Sequence, residues 1–144
     1  MRFEAKLVNK LEQVFETSIK TFKNQVKEKI KDQNNKNKFD STMEMFEEYI
    51  NKEIKKRLDV CFTLINDEEG MFTREDMDKV VKEFEDQFQI LLSLHKNESN
   101  YNILSNKLTE DFCKMQKYIL DHHLIIKREA RKDPERGILL GKRL

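Results

Sequence analysis

The sequence predicts an all-α fold, an elongated antiparallel bundle of about four long amphipathic helices with a short C-terminal tail. Three observations lead there. Three glycines and one proline in 144 residues leave little material for tight turns and hairpins, and 38% of the residues are charged. That composition suits a few long helices with solvated faces. Alternation of Val, Ile and Thr with polar residues, the mark of a half-buried strand, is nearly absent. Apolar residues instead recur every three or four positions over long stretches, which gathers them on one face of a helix. The length fits a single domain with a single core.

The first helix is expected over about residues 2–31, where Phe3, Leu7, Leu11, Phe15, Ile19, Phe22, Val26 and Ile30 form one stripe. The Asn- and Lys-rich run "KDQNNKNKFDS" interrupts the pattern with only Phe39 to bury, and it reads as a loop. Ser41 and Glu44 are spaced as a capping box, which predicts a second helix over about 42–65. Its stripe is Met43, Phe46, Ile50, Ile54, Leu58, Cys61 and Ile65. Thr73 and Asp76 repeat the capping spacing with a shorter acid, opening a third helix over about 74–95 with Met77, Val80, Val81, Phe84, Phe88 and Leu91 inward. The fourth, about 101–132, carries Leu104, Leu108, Phe112, Met115, Ile119 and Ile126, with His122 on the same stripe. Asp133-Pro134 ends it, because proline lacks the amide donor and disfavours a helical residue before it. Residues 1–132 thus form the bundle and 133–144 a basic and apolar tail. The stripes are too broad for a strict coiled-coil seam.

The stretch "NDEEGMFTREDM" invites a calcium reading. With Gly70 at the sixth position of an EF-hand loop, Asp67 and Glu69 fall at the third and fifth. Ile65 then occupies the first position, where a ligand oxygen is required, and Asp76 replaces the bidentate glutamate at the twelfth. A degenerate EF-hand is therefore the least favoured of the functional readings. A helix–turn–helix accounts for the same residues: Gly70 takes the positive φ that ends one helix, Phe72 staples the turn and Thr73 starts the next.

Other chemistry is sparse. His122 and His123 are adjacent on a helix, where side chains point about 100° apart and share a metal poorly. His95 lies near a helix C-terminus, which favours positive charge. Cys61 and Cys113 show no CxxC or metal-like grouping, and no residue close in sequence would lower either pKa. No HExxH, GxSxG, phosphate-loop or dinucleotide-binding string occurs. The expectation is a protein that is not an enzyme and needs no cofactor or metal. With no signal-type leader, no apolar run near the ~18 residues of a membrane span and reduced thiols, an intracellular, soluble setting is expected.

Charge is unevenly laid out. The net is +4 over residues 1–40, −8 over 41–113 and +5 over 114–144. Lys127, Arg128, Arg131, Lys132, Arg136, Lys142 and Arg143 crowd the C-terminus. Like charges at i,i+4 cost a few tenths of a kcal/mol unless an anionic surface offsets them. Ile138, Leu139 and Leu140 make a short apolar element among these cations, too polar-flanked for a core helix. No aromatic residues interleave with the basic run, which weakens a nucleic-acid reading.

Two short likenesses accompany this pattern. "EQVFETSIKTF" and "GMFTREDMDKVVKEFEDQF" resemble the helical domain of guanylate-binding proteins over about thirty residues. That likeness implies a helical assembly module without nucleotide chemistry, since the phosphate-binding motifs of the GTPase domain are missing. "RGILLGKRL" is similar to a segment of a bacterial-type ribosomal protein of the small subunit, while the preceding hundred residues do not follow that family. Neither spans enough of the chain to assign a family.

These observations predict a protein–protein interaction protein: an assembly subunit, adaptor or inhibitor. It would dock through helix faces and through Lys127, Arg128, Arg131, Lys132, Arg136, Ile138, Leu139, Leu140, Lys142 and Arg143. The expected partner is a protein with an acidic or mixed surface. The alternative is a nucleic-acid-associated subunit of a ribonucleoprotein using the same cations.

Overall fold

The computed structural model describes residues 3–65 and 72–125. They form α1 (Phe3–Lys27), α2 (Gln33–Ile65), α3 (Arg74–His95) and α4 (Tyr101–Leu120), with a π-helical turn, Asp121–Ile125, closing α4. No strand occurs among the described residues. The protein is an all-α bundle, as the sequence predicts. At 33 residues, α2 is about 50 Å long.

Helices consecutive in sequence run antiparallel, but their arrangement around the core is less regular. Lys27 meets Asp40, Phe22 meets Phe39 and Lys55 meets Glu12, so α1 and α2 are antiparallel. Phe88 meets Phe112 and Glu83 meets His123, so α3 and α4 are too. The first helix, however, also lies beside α3, with Phe3 on Phe72, Lys10 on Asp78 and Phe15 on both Phe84 and Phe88. That order of contacts makes the pair parallel. Likewise Thr42 reaches Tyr101, Tyr49 reaches Phe112 and Gln116 reaches Glu53, so α2 and α4 are parallel. The ring of neighbours is α1, α2, α4, α3. Two helical hairpins are thus stacked side by side in the same orientation.

Phenylalanine fills the core in three layers. In the middle, each helix contributes one ring: Phe15, Phe46, Phe88 and Phe112, with centroids 5.0 to 6.2 Å apart and mostly edge to face. At one pole Phe39 sits between Phe22 and Tyr101, and at the other Phe72 sits between Phe3 and Phe62. Edge-to-face pairs add about 0.5–1.5 kcal/mol each beyond the area they bury. The stripes read from the sequence are the buried faces: Leu7, Leu11, Ile19 and Val26 of α1, Met43, Ile50, Ile54 and Leu58 of α2, and Leu104, Leu108 and Ile119 of α4.

The structure corrects three expectations. The second helix begins at Gln33, so the supposed loop is helical and Ser41 with Glu44 lies inside it rather than at its start. The reason is Phe39, which is wholly buried and needs helical geometry to reach Phe22. The actual cap is Asp32: its Oδ1 accepts from the Asn34 amide at 3.3 Å and its carbonyl from the Lys36 amide at 3.1 Å. Next, the first helix ends at Lys27, and Lys29 and Ile30 donate to Val26 and Lys27 carbonyls in a closing turn. Finally, His122 is exposed, and Leu124 takes the buried position. Both lie within the π turn, whose wider period departs from the regular stripe.

The start of α3 is as expected. Thr73 accepts from the Asp76 amide at 3.2 Å while the Asp76 carboxylate accepts from the Thr73 amide at 2.8 Å. Such a cap is worth about 1 kcal/mol. Phe72 beside it is buried.

Candidate interaction surfaces

The ten tail residues from Lys127 to Arg143 named above lie outside the described residues, as do Asp67, Glu69 and Gly70 of the calcium-like loop. Among the described residues no group of three or more His, Cys, Asp or Glu could hold a metal ion. No helix among them is long and apolar enough to cross a membrane.

Both cysteines are free, Cys61 buried and Cys113 half-buried. Burial, reinforced by the charge of Asp121, pushes the Cys61 thiol up to about 11, which leaves it protonated and unreactive. Cys113 belongs to a polar ladder between α2 and α4. Thr42 donates to the Tyr101 carbonyl at 2.9 Å. Further along, burial first, then the bond to the Cys113 thiol, holds the Tyr49 hydroxyl above the ordinary phenol value. Glu53 then pairs with Arg57 at 3.0 Å and accepts from Gln116 Nε2 at 3.3 Å. Gln116 is fully buried, and its Oε1 has no partner among the described residues. The ladder fixes how the parallel pair sits.

His95 does not merely cap α3; its Nε2 contacts Asp111 Oδ2 on α4. His123 likewise faces Glu83 at 3.4 Å. These two contacts define the groove where α3 and α4 meet. Residues two and three helical turns beyond Glu83 are Ile90 and Leu94, on the same flank of α3. Met115 and Tyr118 follow Asp111 by one and two turns on the matching flank of α4. Ile90 is 54% exposed, Leu94 73% and Tyr118 63%. Met115 is half-buried, and His122 stacks on Tyr118 with planes 5° apart. An apolar strip therefore runs along the outer α3–α4 face, edged by the ion pairs Lys82–Asp86 and Lys114–Glu110.

A second surface lies at the pole where α1 and α3 end and α2 and α4 begin. A cleft of about 480 Å³ opens between the two connections, lined by Lys29, Lys31 and Lys96 among others. Next to it, a groove of about 230 Å³ between α1 and α3 is lined by Thr17, Ser18, Thr21 and Ser93 and also reaches Lys96. A third depression, between α1 and α2, is acidic, with Glu12, Glu16 and Glu47 around Lys55.

The sequence signals for these surfaces were uneven. Ile90 and Leu94 stand off the buried α3 stripe at i,i+4 spacing, which is readable. The meeting of Lys29 and Lys31 with Lys96, more than sixty positions away, follows only from how the hairpins stack.

No family model matches this chain, and neither a curated protein nor a solved structure matches it.

Proposed function

We propose that this protein is a non-enzymatic docking module that binds another protein, as an assembly subunit, adaptor or inhibitor. The observation that carries the reading is the strip of Ile90, Leu94 and Tyr118 left exposed on a bundle whose interior is otherwise filled. Exposed apolar groups grouped along one groove and rimmed by charges are the surface chemistry of a docking face. The mixed ion pairs on its edges suit a partner with an apolar centre and charges of both signs. The basic and apolar tail, from Lys127 to Arg143, supplies a second contact in this reading, as the sequence suggests.

The test is affinity capture from the native source with Ile90→Asp/Leu94→Asp. Both side chains are exposed, so circular dichroism should be unchanged. Loss of the captured partner supports the α3–α4 face; retention of the same partner overturns it. Removing residues 133–144 tests the tail separately.

The seven C-terminal cations favour one other reading, a nucleic-acid-associated subunit. It requires an affinity for RNA or DNA that falls steeply with salt. A gel shift at low salt that shows no complex removes it.

A further inference from the structure

We propose that the cleft between the α1–α2 and α3–α4 connections is a binding site for a compact ligand carrying two or more phosphate groups. Lys29, Lys31 and Lys96 line it and are all exposed. None of the three has an ion-pair partner among the described residues, a state they share with Lys6, Lys20, Lys36, Lys38, Lys52, Lys56 and Lys117; what sets them apart is that they line one cleft.

Two carboxylates also border the cleft, Asp32 and Glu98, and of these Glu98 is paired with a cation outside it. Asp32 Oδ1 is taken by the α2 N-terminus. Glu98 accepts from Lys107 Nζ at 2.8 Å through one oxygen and from the Asn100 amide at 3.2 Å through the other. The Lys107 bond chiefly holds the Glu98 carboxyl below its usual range.

Lysines beyond helix C-termini are ordinary, because the dipole favours cations there. That explains each residue alone. It does not explain three ammonium groups from two separate connections on one concavity, where they outnumber the bordering carboxylates Asp32 and Glu98 and, with Glu98 paired to Lys107, leave a net positive potential that draws anions.

The chemistry favours phosphate over carboxylate. Arginine presents a planar fork that matches a carboxylate, whereas lysine acts as a compact point charge suited to phosphate oxygens. Among the described residues no arginine lines the cleft. Buried Val26 and Ile30 close the floor. A cleft of about 480 Å³ falls in the range of small-ligand sites. Lys96 is shared with the hydroxyl-lined groove between α1 and α3, which can take an uncharged polar body attached to the phosphates.

The test is calorimetric titration of the full chain with tripolyphosphate at low salt, with amide shifts followed by NMR. Binding is expected, with shifts concentrated at residues 29–35 and 96–101. The combined K29Q/K31Q/K96Q variant should lose at least about tenfold in affinity, the scale of lost charge-assisted contacts. The control K52Q/K56Q should lose less than about twofold, as screened, distant charges do. Citrate, a tricarboxylate, should bind at least about tenfold more weakly than tripolyphosphate, since lysine lacks the carboxylate-matching fork. No heat at millimolar ligand overturns the proposal, as does an equal loss in the control or equal binding of citrate. A short RNA that binds more tightly than tripolyphosphate and shifts the same amides also overturns it, and makes the pole a nucleic-acid surface. None of these outcomes depends on the α3–α4 docking face.

Discussion

The two parallel helix pairs make an instructive contrast. α1 lies beside α3, and α2 beside α4, in the same relative direction, yet one seam is shut and the other opens into a groove. Between α2 and α4, Thr42, Tyr49, Glu53 and Gln116 reach across, and Gln116 is buried outright. Over the last turns of α1 and α3, short side chains, Thr17, Ser18, Thr21 and Ser93, stand in the groove beside Gln25, Gln89 and Lys96, and no hydrogen bond between the two helices is formed there among the described residues. Thr21 turns its hydroxyl back onto the Thr17 carbonyl at 3.2 Å instead of reaching α3. Cross-seam hydrogen bonds, and not helix direction, distinguish the shut seam from the open one. The closed seam gains a defined register and carries one unmatched acceptor as its cost.

The largest effect is expected where both seams meet. Phe112 touches Phe15 of α1, Phe46 of α2 and Phe88 of α3, so Phe112→Ala should remove about 3–5 kcal/mol of stability. Urea unfolding measures it, and a loss under ~1 kcal/mol would mean that the middle layer does not tie the pairs together. Next comes the closed seam alone. Glu53→Ala strips the bond from buried Gln116 Nε2 and should cost about 1–3 kcal/mol. Thr21→Val in the open groove should stay within about 0.5 kcal/mol. Equal costs would erase the contrast between the seams. Gln116→Met removes the orphan acceptor together with the bond to Glu53, which keeps Arg57, so at conserved volume the unfolding free energy should change by less than about 1 kcal/mol. A marked fall would show that the amide is better satisfied than its surroundings indicate.

The smallest effect concerns pH. Cys61 has its folded-state pKa raised to about 11, above the ordinary thiol. The folded chain therefore holds this proton where the unfolded chain has released it. Its contribution is fully present below about pH 8.5 and is lost as pH rises towards 11. Cys61→Ala should flatten that part of the stability profile. In the folded protein Cys61 should also resist alkylation at pH 8 and react once denaturant is added.

Much of the fold was legible because burial writes itself into spacing. The α3 segment is the clearest case: stripe, capping pair and length all agree with Arg74–His95. The start of α2 was illegible for a definable reason. Ser41 and Glu44 satisfy a local rule, but tertiary burial of Phe39 against Phe22 and Tyr101 extends the helix past them. His122 was misplaced because a π turn changes the period without any marker in the residue pattern. Surfaces suffered most. Which seam closes, and which lysines converge, depends on the ring order α1, α2, α4, α3, whereas sequence neighbours alone suggest α2 beside α3.

The chain has no tryptophan and three tyrosines, and their placement has a practical consequence. Tyr49 sits in the closed α2–α4 seam, Tyr101 borders the lysine cleft and Tyr118 lies on the exposed α3–α4 strip. Uniform labelling with 3-fluorotyrosine therefore yields three fluorine resonances, one for each region. A phosphate ligand should move the Tyr101 signal, a docked protein the Tyr118 signal, and Glu53→Ala the Tyr49 signal. One labelled sample reports all three regions in a single spectrum.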